Sequence, residues 1–201
     1  MNRDILNTQH LLKERKQKKI FNIKVEKLVR EASDTFIYFK DYEAALNLIE
    51  ESLFIEPTHC KALILKGHIM LCNGKEEAAI RYFDQAIESE PFSAEAYGAM
   101  AGTLYVLGRQ EEAFYYNEKA FEFLTPKDKN MLPSLYEQKI SMLIQMKKFE
   151  EANYMLQKSG KYLANDDICQ LFSSYQETIK NYFKQRKIKK QKLAQMALKI
   201  V

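Results

Sequence analysis

The chain is poor in backbone breakers. It has six glycines and four prolines in 201 residues, and neither type occurs before Pro57. So long an opening without a breaker favours helix. Cysteine is scarce too: Cys60, Cys72 and Cys169 make an odd count with no CxxC spacing. That argues against a disulfide framework and for a reducing compartment. No window approaches 18 apolar residues, so no membrane span is expected. The start of the chain lacks the continuous apolar core of a signal peptide and carries a basic run over residues 13–19 instead. A cytoplasmic protein is the expectation.

Catalytic signatures are missing as well. There is no GxSxG, no P-loop and no dinucleotide fingerprint. The carboxylate pairs Glu50-Glu51, Glu76-Glu77 and Glu111-Glu112 read as solvated surface. The histidines are His10, His59 and His68. His68 and Cys72 are four apart and share a helix face, a spacing that a soft metal could use. A structural zinc needs about four ligands, so the pair reads as groove lining. No enzyme, cofactor or metal site is expected.

What the chain does have is a repeated phrase. KDYEAALNLIEESLFIEP (40–57), GKEEAAIRYFDQAIESEP (74–91) and GRQEEAFYYNEKAFEFLTP (108–126) follow one another at intervals of 34 residues. Ala45, Ala79 and Ala113 keep that spacing, and Ala152 follows after 39. Seven residues beyond each stands another small residue: Ser52, Ala86, Ala120 and Ser159. Upstream lie apolar-periodic segments with small residues of their own, Ser33, Gly67 and Ala101. Each unit therefore reads as two amphipathic helices, A and B, joined by a tight turn near Lys40, Gly74, Gly108 or Lys147. Gly74 and Gly108 suit left-handed helix ends. Small residues let the helices approach, and Leu63, Met70, Phe83, Tyr97 and Leu104 fill between them. Neither helix buries its stripe alone, so stacked pairs are required.

This pattern resembles the tetratricopeptide repeat. Residues 63–91 match it closely, 97–120 well, and 26–57 fairly, with Ser33 in place of the usual glycine. In 133–165, Lys139-Ile140 stands where Leu-Gly is usual, which removes the small residue that a close A–B approach needs. The resemblance implies an all-α, right-handed solenoid of about four units (26–59, 60–93, 94–127 and 133–165). A basic helical extension over 1–25 precedes them, and a capping helix with a basic tail over 166–201 follows. Asn165-Asp166-Asp167 reads as that helix's N-cap, and Ile168, Leu171, Phe172, Tyr175 and Ile179 as its apolar stripe. The extra five residues around TPKDKNMLP (125–133) read as a longer helix B or a surface loop.

The resemblance also implies a concave groove made by the A helices, which takes a protein segment with an apolar anchor. Carried onto this chain, the groove holds Lys27, Arg30, Asp34, Ile37 and Tyr38, then Lys61, Ile64, His68, Leu71 and Cys72. Glu95, Gly98, Gly102, Tyr105 and Val106 follow, then Glu137, Ser141, Ile144 and Gln145. Gly98 and Gly102 would leave a hollow for a bulky apolar side chain. Some family members clamp the acidic tails of chaperones with Lys, Asn and Arg. Here only Arg30 matches, while Asp34, Leu65, Glu95 and Gly98 do not, so no carboxylate clamp is expected. The apolar centre is more similar to repeat chaperones of bacterial secretion systems. An adaptor, assembly factor or chaperone is the expected role.

Charge adds an alternative. The net charge of +4 conceals basic ends around an acidic body. Residues 1–30 carry +6, residues 31–177 carry −10, and residues 178–201 carry +8 with no acid at all. In KQRKIKKQK (184–192) the basic residues are Lys184, Arg186, Lys187, Lys189, Lys190 and Lys192. Such ends can meet nucleic-acid phosphates or an anionic membrane surface.

Overall fold

A computed structural model describes the backbone of residues 2–162 and 166–197, and the side chains of residues 15–162 and 172–193. No strand occurs among the described residues. The order is α1 (Asn2–Asp34), a π-helical turn (Thr35–Phe39), α2 (Tyr42–Ile55), α3 (Cys60–Cys72), α4 (Glu76–Ser89) and α5 (Ala94–Val106). Then come α6 (Gln110–Glu122), a 3-10 turn (Pro126–Met131), α7 (Leu132–Gln145), α8 (Phe149–Ser159) and α9 (Asp166–Ala197). The chain divides into two compact units, residues 1–103 and 104–201, with the boundary inside α5.

In the first unit, α1 packs on α2 and α3 on α4, and α2 also meets α3. The turns within the pairs pass through Lys40 (φ 54°) and Gly74 (φ 65°). Beyond Gly74, the amide of Lys75 donates to the Met70 carbonyl at 2.9 Å, and Gly74 donates to Leu71 at 2.9 Å. This is the Schellman arrangement, which satisfies carbonyls that the helix end would leave bare. Three helix starts, those of α2, α3 and α5, are capped by side chains. The Asp41 carboxylate accepts from the Ala44 amide at 3.0 Å, His59 Nδ1 from Ala62 at 3.3 Å, and Ser93 Oγ from Ala96 at 3.3 Å. Each such cap is worth about 1 kcal/mol.

The core follows the small-residue ladder. Ala45, Ala79, Ser52 and Ala86 are all 0% exposed, as are Phe83, Ile49 and Ile69. The Ser52 hydroxyl donates to the Ile49 carbonyl at 2.8 Å, so its burial leaves no bond unmade. Gly67 faces the ring of Phe83, and a Cβ there would lie 2.7 Å from the ring's Cζ. The glycine is therefore kept by crowding from the paired helix.

In the second unit, α6 packs on α7, α7 on α8, and α9 on both α7 and α8. Ala113, Ala120, Ala152 and Ser159 are 0% exposed. The turns at Gly108 (φ 75°) and Lys147 (φ 59°) repeat the Schellman geometry. Arg109 donates to Leu104 at 2.9 Å and Lys148 to Leu143 at 2.8 Å. A lysine thus occupies the left-handed position that glycine holds in the two preceding turns.

One sequence expectation is corrected here. The five extra residues make neither a longer helix B nor a loop. α6 ends at Glu122, and residues 126–131 form a 3-10 turn that leads straight into α7. Thr125 and Asp128 explain this. The Thr125 side chain caps the turn, and Asp128 accepts from the Thr125 amide at 2.9 Å, while Pro126 starts it. In the fourth unit α7 and α8 meet less extensively than α1 with α2 or α3 with α4, as the missing small residue predicts. Ile140 takes that place at 0% exposure, and the residue opposite it in register, Leu156, is smaller than Phe83. Leu156 packs on the cluster of Tyr136, Ile140 and Phe172. Lys139, only 7% exposed, runs its stem through the core and pairs its ammonium with Glu118, 4.9 Å from the Phe121 ring centroid.

α9 docks through Phe172 and Ile179, both buried, and through Tyr182, stacked on Phe149 at 4.0 Å. Arg186 pairs with Glu150 of α8. Of the expected cap, Asn165 and the side chains of Asp166, Asp167, Ile168 and Leu171 lie outside the described residues.

Candidate partner-binding cleft

The first unit carries an open cleft of ≈ 820 Å³, a volume in the range of ligand sites. Three elements line it. α1 and the π-helical turn present Ile23, Lys27, Arg30, Asp34 and Ile37, spaced three and four apart along one face. α3 adds Lys61, Ile64, Leu65 and His68 in the same rhythm, and α5 adds Glu95. The floor is apolar: Val29, Ile64 and Leu65 are buried. At the rim, Ile23 is 61% and Ile37 57% exposed, so apolar surface faces solvent without a partner.

The charges of the cleft are unevenly engaged. Glu26 Oε1 lies 3.4 Å from His59 Nε2. Because His59 Nδ1 already accepts a backbone proton, the neutral ring carries its own proton on Nε2 and points it at Glu26. Lys27, Arg30 and Lys61 have no acidic partner among the described residues. His68 lies inside, its ring edge-on to Phe83 at 5.3 Å. Burial holds its imidazole below the usual 6.5.

Of the groove positions expected from sequence, the cleft brings together Lys27, Arg30, Asp34, Ile37, Lys61, Ile64, His68 and Glu95. Tyr38 is on the π-helical turn outside the lining, 76% exposed. Leu71 is half-buried and Cys72 exposed near the end of α3, and neither lines the cleft. Gly98 is buried and Gly102 half-buried on α5, also outside the lining. Ile23, Glu26 and Phe36 were not anticipated, and Leu65 was placed only among the clamp positions. The repeat boundary at 26 cut α1 short, although the charged and apolar stripe continues back to Ile23 at helical spacing.

The second unit treats its corresponding positions differently. The Tyr105 hydroxyl lies 2.6 Å from Ser141 Oγ and accepts from Gln145 Nε2 at 2.5 Å. Gln110 Nε2 donates to Gln145 Oε1 at 2.6 Å, and Tyr175 of α9 donates to Glu137 at 3.0 Å. Burial pushes the Tyr175 phenol up to about 12. These polar groups satisfy one another, and Val106 beside them is 82% exposed.

Among the described residues, no group of three or more His, Cys, Asp or Glu could hold a metal ion, and no helix is long and apolar enough to cross a membrane. Cys60 and Cys72 are free thiols. Cys60 is buried with its Sγ 3.6 Å from Ser93 Oγ, and burial raises its pKa. In the basic tail, Lys184, Lys187, Lys189, Lys190 and Lys192 are exposed.

No protein-family model matches the chain. A curated relative, the DnaJ homolog subfamily C member 7 homolog of Schizosaccharomyces pombe, is 23% identical over 128 residues, covering 58% of this chain and 27% of its own length. The chain thus spans about a quarter of that relative. Solved structures of similar fold include PilF of Pseudomonas aeruginosa, with a TM-score of 0.68 at 18% identity over 83% of this chain and 74% of that one. Another is the type III secretion chaperone SycD of Yersinia enterocolitica, in complex with a peptide of the translocator YopD. It has a TM-score of 0.54 at 16% identity, over 60% of this chain and 93% of that one. The Sgt2 TPR domain of Aspergillus fumigatus scores 0.52 at 19% identity, over 65% and 82%. Phased helix pairs, a buried alanine ladder and these likenesses agree: the chain folds as a tetratricopeptide-repeat protein.

Proposed function

We propose that this protein is a protein-interaction module that holds a segment of a partner in the cleft of its first unit. It acts there as an adaptor, assembly factor or chaperone rather than as an enzyme. The observation that carries this reading is an apolar floor beside three cations, Lys27, Arg30 and Lys61, that lack acidic partners among the described residues. A segment with one large apolar anchor and acidic flanks complements both. Burial of the anchor supplies about 25 cal/mol per Å², and the cations set register and reject basic segments. The SycD structure, which holds a translocator peptide, supports the same use of this fold. In this reading residues 1–25 are a basic helical extension, 26–165 the repeat body and 166–201 the cap.

Leu65, Asp34 and Glu95 within the lining speak against a clamp for a terminal carboxylate. The test is selection of a random helical-peptide library on the full chain, followed by titration of the enriched peptides. Enrichment of acidic peptides with a large apolar residue is expected. Their affinity should fall at least tenfold with Arg30→Glu/Lys61→Glu, both exposed sites, while the variant keeps its circular dichroism. Peptides that bind wild type and variant equally, or no enrichment, would overturn the proposal.

A further inference from the structure

Among the described residues, α9 projects past Arg186 beyond everything that packs against it. Its last described contact with the body is the Arg186 pair with Glu150. Residues 187–193 are all exposed. These seven residues make about 10 Å of free helix at 1.5 Å per residue. Lys184, Lys187, Lys189, Lys190 and Lys192 have no acidic partner among the described residues, and no acid follows Glu177 in the sequence.

The arrangement of these lysines identifies the partner. At about 100° per residue they surround the helix, and the widest arc without one is about 100°. Arg186 falls inside that arc. The exposed apolar residues Ile188 and Leu193 lie about 140° apart on the same wheel and form no stripe. A helix that lies in a bilayer surface needs a continuous apolar face about 100° wide or more, and among the described side chains of residues 184–193 there is none. A rod about 10–12 Å across with charge on every side suits a groove about 12 Å wide walled by phosphates on both sides.

We infer that the free turns of α9 bind the phosphodiester backbone of duplex nucleic acid, without reading sequence. The docked half of α9 keeps these turns helical, so little ordering is needed on contact.

The test is fluorescence anisotropy of the full chain with labelled 20-base-pair DNA and RNA duplexes across 50–150 mM KCl. With five lysines engaged, log affinity should fall with log salt at a slope approaching about −4.5, or roughly 100-fold over that range. Replacing Lys184, Lys187, Lys189, Lys190 and Lys192 by Gln should abolish the slope and lower affinity at least about 30-fold at 50 mM. Replacing the same five by Arg should retain both. The DNA and RNA arms show which duplex is preferred, and binding of either with this signature supports the inference. Three results would overturn it: duplex binding that survives the Gln replacements, binding to phosphatidylserine vesicles without duplex binding, or binding to neither.

Discussion

Gly67 of α3 lies against the ring of Phe83 of α4, so closely that a single added methyl would overlap it. Phe83 is fully buried, so its ring would have to shift within the core to admit the methyl. Gly67→Ala should therefore destabilise the protein by about 1–3 kcal/mol despite alanine's better helix propensity. Adding Phe83→Leu should return part of that loss, a coupling that urea denaturation of the four-member cycle would reveal. Additive effects would show that the two side chains do not compete for one volume.

Lys139 is a buried cation whose stem fills space and whose head reaches Glu118. Lys139→Ala removes both and should cost about 2–4 kcal/mol. Lys139→Met keeps the volume and should cost about 1 kcal/mol or less. Equal losses in chemical denaturation would mean that the ion pair, and not the packing, dominates.

The left-handed lysines carry backbone strain. At Lys40 (φ 54°) and Lys147 (φ 59°), replacement by Gly should stabilise by about 0.5–1 kcal/mol each, net of the added freedom of the unfolded chain. The reverse change, Gly108→Ala at φ 75°, should destabilise by about 1 kcal/mol. Thermal midpoints of the three variants give the signs directly.

Two half-buried groups set opposite pH limits. His68 is held below its usual 6.5 by burial, so the unfolded chain takes up its proton first. That contribution is complete above pH 6.5 and is lost as pH falls through and below it. Tyr175, pushed up from 10 to about 12, keeps its proton longer in the folded state. Its contribution is complete below pH 10 and is lost between pH 10 and about 12. The stability difference between wild type and His68→Asn should change with pH only below about 6.5. That between wild type and Tyr175→Phe should change only above about 10. Differences that do not vary with pH in those windows would refute the assignments.

Much of the fold was legible because the repeat depends on residue size at fixed intervals, and size is written in the sequence. The alanine ladder, the turns at Gly74 and Gly108 and the start of α9 near residue 167 are of this kind. What was not legible depends on partners distant in sequence. Nothing local tells that Lys139 reaches Glu118 across 21 positions, or that Tyr105 bonds Ser141 and Gln145. Thr125 and Asp128 did offer a local signal, a capping box spaced three apart, that converts the linker to a 3-10 turn. The cleft was legible in its A-helix stripe from Lys27 to Glu95. It was truncated at Ile23 because repeat phasing says nothing about where a helix begins upstream of the first repeat.

The pairing of Gly67 with Phe83, and of Ile140 with Leu156, also bears on how such a chain could be recombined. Joining α3 to α8 would set a glycine against a leucine and leave a void. Joining α7 to α4 would drive an isoleucine into a phenylalanine ring. A crossover between pairs, in the links around Pro57 or Pro91, breaks neither match. The heritable module of this fold is therefore the matched helix pair, and a single helix is not interchangeable even between repeats of one chain.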